Sequence, residues 1–143
     1  MEKAPGFSLK NKRKLKKWIC RTIEAEKRIC GDISFVFEQD EEVYRVNLEY
    51  LQHDWYTDVI SFDYNKGKKV NGDIIISVDR IKENAGKFGV TAREEMRRVM
   101  IHGVLHLLGY EDHSKEEREK MTGLENKYLA LWQNIEGKED GKI

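Results

Sequence analysis

The segment IHGVLHLLGYEDH, Ile101 to His113, constrains this chain more tightly than any other, because it crowds three of the four histidines into apolar surroundings. His102 and His106 stand four apart, so a helix through them carries both imidazoles on one face, one turn apart. Gly109 follows three residues later, and glycine can end a helix in a left-handed turn that redirects the chain. Tyr110, Glu111 and Asp112 then lead His113 back towards the helix. Burying three unpartnered imidazoles among Val104, Leu105, Leu107 and Leu108 would be costly. The order helix, glycine turn, histidine instead offers two fixed ligands and one returning ligand to a small cation. Three imidazoles favour zinc, with nickel or copper open on ligand type alone.

Closed structural zinc sites are usually Cys-rich and four-liganded. Here Cys20 and Cys30 are remote, and His53 lies on another segment. One zinc per chain, held by His102, His106 and His113, would keep a position for water, whose pKa zinc lowers to about 7. That favours hydrolysis. A zinc protease with the H-E-x-x-H pattern places its general base directly after the first histidine, where this chain has Gly103. Peptide cleavage needs strong base and acid assistance. A phosphodiester beside a 2′-hydroxyl carries its own nucleophile and needs chiefly charge stabilisation. The pattern therefore disfavours a peptidase and leaves RNA open. Glu111 and Asp112 are weak candidates for carboxylates that orient a ligand or the metal water, set against ordinary turn acids. No residue identifies itself as the general base.

The rest of the chain supplies the frame. Its 143 residues suit one domain, 1–143, with a polar tail over 134–143 expected to fray. No apolar run approaches the roughly 20 residues of a spanning helix, and the basic start lacks a signal-peptide core. Two cysteines ten residues apart make no disulfide framework, which predicts reduced, buried thiols and a cytoplasmic protein. The net charge of zero conceals a block from Lys10 to Arg21 with seven basic residues and no acidic one. Lys12, Arg13, Lys14, Lys16 and Lys17 oppose the apolar positions Leu15, Trp18, Ile19, Ile23 and Ile29 on a predicted helix ended by Gly31-Asp32. That basic face is a candidate phosphate contact, as are Arg97 and Arg98; a solvated helix face is the plain alternative.

Alternation in ISFVFE predicts a strand, and Asp40 is a plausible cap for a helix over DEEVYRVNLEYLQ, with a strand as the rival assignment. TDVISF and GDIIIS read as a hairpin or neighbouring strands, with Val59, Ile60 and Phe62 expected in the core. A helix follows from about Val78 to Lys87, closed by Gly89. Capping boxes at Thr91–Glu94 and Ser114–Glu117 open the histidine helix and a last helix carrying Met121, Leu124, Tyr128 and Leu131. The expected class is α+β: a small mixed sheet packed with helices.

Three of these stretches in order, TDVISF, GDIIIS and HGVLHLLGYEDH, resemble the YbeY endoribonucleases over roughly Ile33 to Leu131. The resemblance implies a zincin or metzincin-like domain with zinc on His102, His106 and His113. It also implies a single-strand-specific endoribonuclease in ribosomal RNA processing and ribosome biogenesis, acting late at the 3′ end of the small-subunit RNA. Two departures stand out. The family motif has five residues between its second and third histidines, and this chain has six. Many members carry an arginine where this chain has Leu51, so Arg45, Arg97 or Arg98 would have to supply the phosphate-facing guanidinium. These departures motivate a rival reading, a non-catalytic ribosome-assembly factor with structural zinc; a peptidase-like hydrolase ranks lower.

Overall fold

The computed structural model describes residues 12–140, with side chains to 136. Its elements are α1 (Lys12–Ala25), β1 (Ile29–Glu38), α2 (Asp40–Leu51), β2 (Val59–Asp63), β3 (Lys69–Ser77), α3 (Val78–Phe88), α4 (Ala92–Leu107) and α5 (Lys115–Asp140). The class is α+β, as expected. Among the described residues no helix is long and apolar enough to cross a membrane.

The sheet order is β1-β3-β2, with β1 parallel and β2 antiparallel to β3. The central strand is covered on both faces, which explains its unbroken Ile74-Ile75-Ile76 run. Ile74 and Ile76 join Phe35 and Phe37 in the main core with α1, α4 and α5. Ile75 packs on the other face against a smaller cluster, built on Val43 and Val46 of α2 and Ile60 of β2. Val59 and Phe62 divide between these two layers, so the core assignment of TDVISF holds. Met121 also lies in the main core, on the apolar face of α5. Burying each such aliphatic side chain contributes about 1.5–3 kcal/mol.

Five expectations change. The first helix, predicted from Lys10 (outside the described residues), ends at Ala25, and Lys27 makes the left-handed turn with φ 63°. Gly31 lies inside β1 at a break in register; a Cβ there would sit 2.3 Å from Asn71 Oδ1 and 2.6 Å from the Val70 carbonyl. Asp40 is the first residue of α2 rather than its cap, and its carboxylate binds Arg80 and Ser77. Cys20 and Cys30 form a disulfide, not two reduced thiols, because the turn after α1 brings their Cα atoms to 5.2 Å. The last helix also continues through 134–140, where polar composition suggested fraying, and buries Ile135.

Candidate metal centre

The sequence of α4 explains why its histidines are not core. Glu95, Arg98, His102 and His106 recur at i, i+3, i+7 and i+11, a polar seam along a helix that is otherwise mostly buried from Met96 onward. The helix is opened by the predicted Thr91–Glu94 capping box, complete in both directions. It closes in a Schellman turn: the Gly109 amide donates to the His106 carbonyl and the Tyr110 amide to that of Leu105, with Gly109 at φ 101°. The next helix opens with the second predicted box, Ser114–Glu117. Residues 110–113 therefore cross between two rigid ends.

His102 and His106 point their Nε2 atoms at each other across 3.0 Å. Asp112 Oδ2 lies 3.2 Å from the first and 3.6 Å from the second. Both Nδ1 atoms face acceptors, Glu125 Oε2 at 2.6 Å for His102 and the Tyr110 carbonyl at 2.9 Å for His106. Each Nδ1 must therefore carry the hydrogen, which leaves both Nε2 lone pairs of the neutral rings converging on one point. Only a proton or a cation relieves that convergence. The donor set, two imidazoles and a carboxylate, suits a divalent metal, and His102, His106 and Asp112 form a group that could hold one.

Carboxylates surround this point. Glu125, on α5, is buried; its second oxygen accepts from Arg98, whose guanidinium also donates to Asn126. Burial opposes protonation of His102, but the hydrogen bond and charge of Glu125, helped by Asp58 and Asp112, raise its pKa above the ordinary value. His106 is held below it by burial and by the neighbouring His102 charge. Burial raises the Asp58 carboxyl against the pull of His102, and burial with the Asp58 charge raises that of Glu95.

The structure brings together His102, His106 and Asp112, and it does not bring His113 to them. The His113 side chain is 81% exposed, with Nε2 3.1 Å from Glu111. The reason is local: the His113 amide donates to Glu117 and its carbonyl accepts from Arg118, so its backbone belongs to the start of α5. Asp112 sits six positions after His106, the separation at which the YbeY motif has its third histidine. Glu111 turns away from the rings to His113. The partners Glu125, Asp58 and Glu95 are not singled out by the sequence. Only the i, i+3, i+7 polar seam hinted at Glu95.

Gly103 packs against the sheet, where a Cβ would meet Ile74 Cγ2 at 2.7 Å; a glutamate there would clash rather than reach the histidines. On α1, Lys12, Arg13, Lys16 and Lys17 are exposed and Lys14 is half-buried, opposite the buried Leu15, Trp18 and Ile19. Arg97 lies over the Trp132 ring and Arg98 is committed to Glu125. Arg45 pairs with Glu42 and Glu49, and Leu51 ends α2 at the surface. His53 stacks on Trp55 and is not a member of the ligand group.

Comparison with known proteins places these features in a family. The family model described as "Endoribonuclease YbeY" matches residues 4–133. Proteins named Endoribonuclease YbeY are similar over most of the chain. That of Christiangramia forsetii is 45% identical over 126 residues, 88% of each chain. That of Flavobacterium johnsoniae is 41% identical, covering 88% of this chain and 91% of the relative. That of Bacteroides thetaiotaomicron is 45% identical over 120 residues, covering 84% and 88%. The solution structure of TM1509 from Thermotoga maritima aligns with a TM-score of 0.57 at 26% identity, covering 93% of this chain and 91% of that one.

Proposed function

From the premise that the chain belongs to the YbeY endoribonuclease family, we propose that it is a zinc-dependent, single-strand-specific endoribonuclease of ribosomal RNA processing. Its substrate would be the 3′ end of the small-subunit RNA, and it would hold one zinc ion on His102, His106 and Asp112 in a metzincin-like domain. The observation that carries the ligand set is the convergence of two bare Nε2 atoms and one carboxylate oxygen. Asp112 replaces the expected His113 in this reading.

Zinc, when bound, supplies Lewis acidity and an acidified water. The chain's own residues do the positioning. Glu125 and the Tyr110 carbonyl hold the Nδ1 hydrogens, so both rings offer Nε2. Arg98 fixes Glu125 and is spent on that task. Asp58 stands by with a carboxyl that burial raises above its usual range, against the pull of His102. The close packing of Gly103 argues against a peptidase base at that position.

The basic face of α1 contacts phosphates in this reading. Lys12 lies 14 positions before Glu26, which binds Tyr110 beside the metal centre, so the two are separated by about 20 Å of helix. A strand of several nucleotides would span that distance, and binding would weaken with salt. A ribosomal RNA substrate would put the protein in the cytoplasm, a compartment in which a disulfide such as Cys20–Cys30 is uncommon.

The test is cleavage of single-stranded and duplex RNA by metal-loaded protein. His102→Ala, His106→Ala and Asp112→Ala are expected to abolish single-strand cleavage, and His113→Ala to retain it. Equal cleavage by all variants would identify a contaminating nuclease. Loss in His113→Ala with retention in Asp112→Ala would restore the three-imidazole set. Zinc binding and ribosome association without any cleavage would support the assembly-factor reading.

A further inference from the structure

Between α2 and β2 the chain exposes aromatic rings that the core does not use. Trp55 is 56% exposed, whereas Trp18 and Trp132 are buried at 0% and 3%. His53 lies flat against Trp55, with centroids 4.2 Å apart and planes at 14°. Beside them Tyr44 lies flat against Tyr56 at 4.4 Å and 22°, and the Arg80 guanidinium sits 5.6 Å from the Tyr56 centroid. The arrangement is fixed from beneath. The buried Asn47 side chain donates to the Trp55 carbonyl at 2.9 Å. The Tyr44 and Tyr56 hydroxyls donate to Asp54 and Glu41.

Holding flat aromatic pairs in water forgoes burial, which calls for an occupant. Two observations identify its chemistry. The segment runs directly into Val59, whose Cγ2 would lie 3.2 Å from a Cβ on Gly103, the residue after His102, and four residues reach at most about 14 Å. The platform thus adjoins the metal centre. Of its charged neighbours, Asp54 and Glu41 are acidic and repel phosphate, and Arg80 is paired with Asp40, so what lands there is a flat, uncharged group rather than a nucleic-acid backbone. On the nuclease reading given above, we infer that Trp55, backed by His53 and flanked by the Tyr44–Tyr56 pair, is a stacking platform for unpaired bases of the RNA strand cut at the metal centre. Only a splayed base offers its face for such contact. A duplex hides its base faces and presents phosphates instead. The platform thereby selects single strands without reading sequence.

The test measures binding of a labelled single-stranded 2′-O-methyl oligoribonucleotide to metal-loaded, full-length protein by fluorescence anisotropy at low and high salt. Trp55→Ala is expected to weaken binding roughly ten- to a hundredfold, the range for one lost base stack. The factor should be the same at both salt concentrations, because stacking releases no counterions. Trp55→Phe is expected to keep most of the affinity, and hairpin-duplex binding to be unchanged. Since the other two tryptophans are buried, acrylamide-quenchable emission of the wild type reports Trp55 and should be shielded by the oligonucleotide. Trp55→Ala binding within about twofold of a wild type that binds and cuts single-stranded RNA would overturn the platform and leave the nuclease reading standing. A wild type that neither binds nor cuts it would remove both.

Discussion

An imidazole aims one nitrogen at a cation reliably only when the other is occupied. Glu125 occupies it for His102 through a short contact from a buried position. Glu125→Gln keeps an acceptor for the Nδ1 hydrogen but removes its charge, so zinc affinity is expected to fall about ten- to a hundredfold with the fold intact. Competition against a chromophoric chelator measures this, and an unchanged affinity would deny Glu125 its orienting role. Gly103 makes a different single-residue demand. The methyl of Gly103→Ala would press on the branched, stiff Ile74, which is expected to cost about 1–3 kcal/mol. A shift in the urea midpoint with unchanged slope is the expected signature; no shift would mean that α4 can lift off the sheet freely.

At the level of elements, the crossing from α4 to α5 is held from outside by the end of α1. Glu26 accepts from the Tyr110 hydroxyl at 2.5 Å and from that of Tyr128. The hydrogen bond to Glu26, with burial, pushes the Tyr110 hydroxyl up from 10.0 to about 12. A value raised on folding means that the contribution is intact below about pH 10 and is lost as pH climbs towards 12. The stability difference between wild type and Tyr110→Phe should therefore shrink across that window in equilibrium denaturation. A constant difference would show that the hydroxyl is not what matters. Elements specified by neighbours in sequence were legible from it: both capping boxes, the Gly89 cap, the Gly109 turn and the β2–β3 hairpin. Those set by distant partners were not. Gly31 reads as a helix stop until Asn71 is seen pressing on it. His113 and Asp112 are equally reachable from a flexible turn, and only the rigid start of α5 decides between them. Glu125 lies 23 residues beyond His102 on another helix, so no local pattern reveals the pair.

For the molecule as a whole, the proposed ion would join α4, the turn after it and, through Glu125, α5. Binding to the folded state alone stabilises by about 2.7 kcal/mol at a hundredfold excess over Kd, or several degrees in Tm for a chain of this size. Zinc is expected to raise the melting temperature of the wild type and a chelator to lower it, while His102→Ala responds to neither. An equal response in that variant would place the ion elsewhere. The strand order carries a consequence of its own for how the protein is made. Asp63 meets Gly72 within a short hairpin, whereas Ile33 meets the same residue only after 38 residues have been threaded between them. The first strand to leave the ribosome must wait for the third, so the parallel pair cannot form until the hairpin has been made. The histidines of α4 follow all three strands along the chain, so an ion held by them can be captured only after every residue of the sheet has been synthesised.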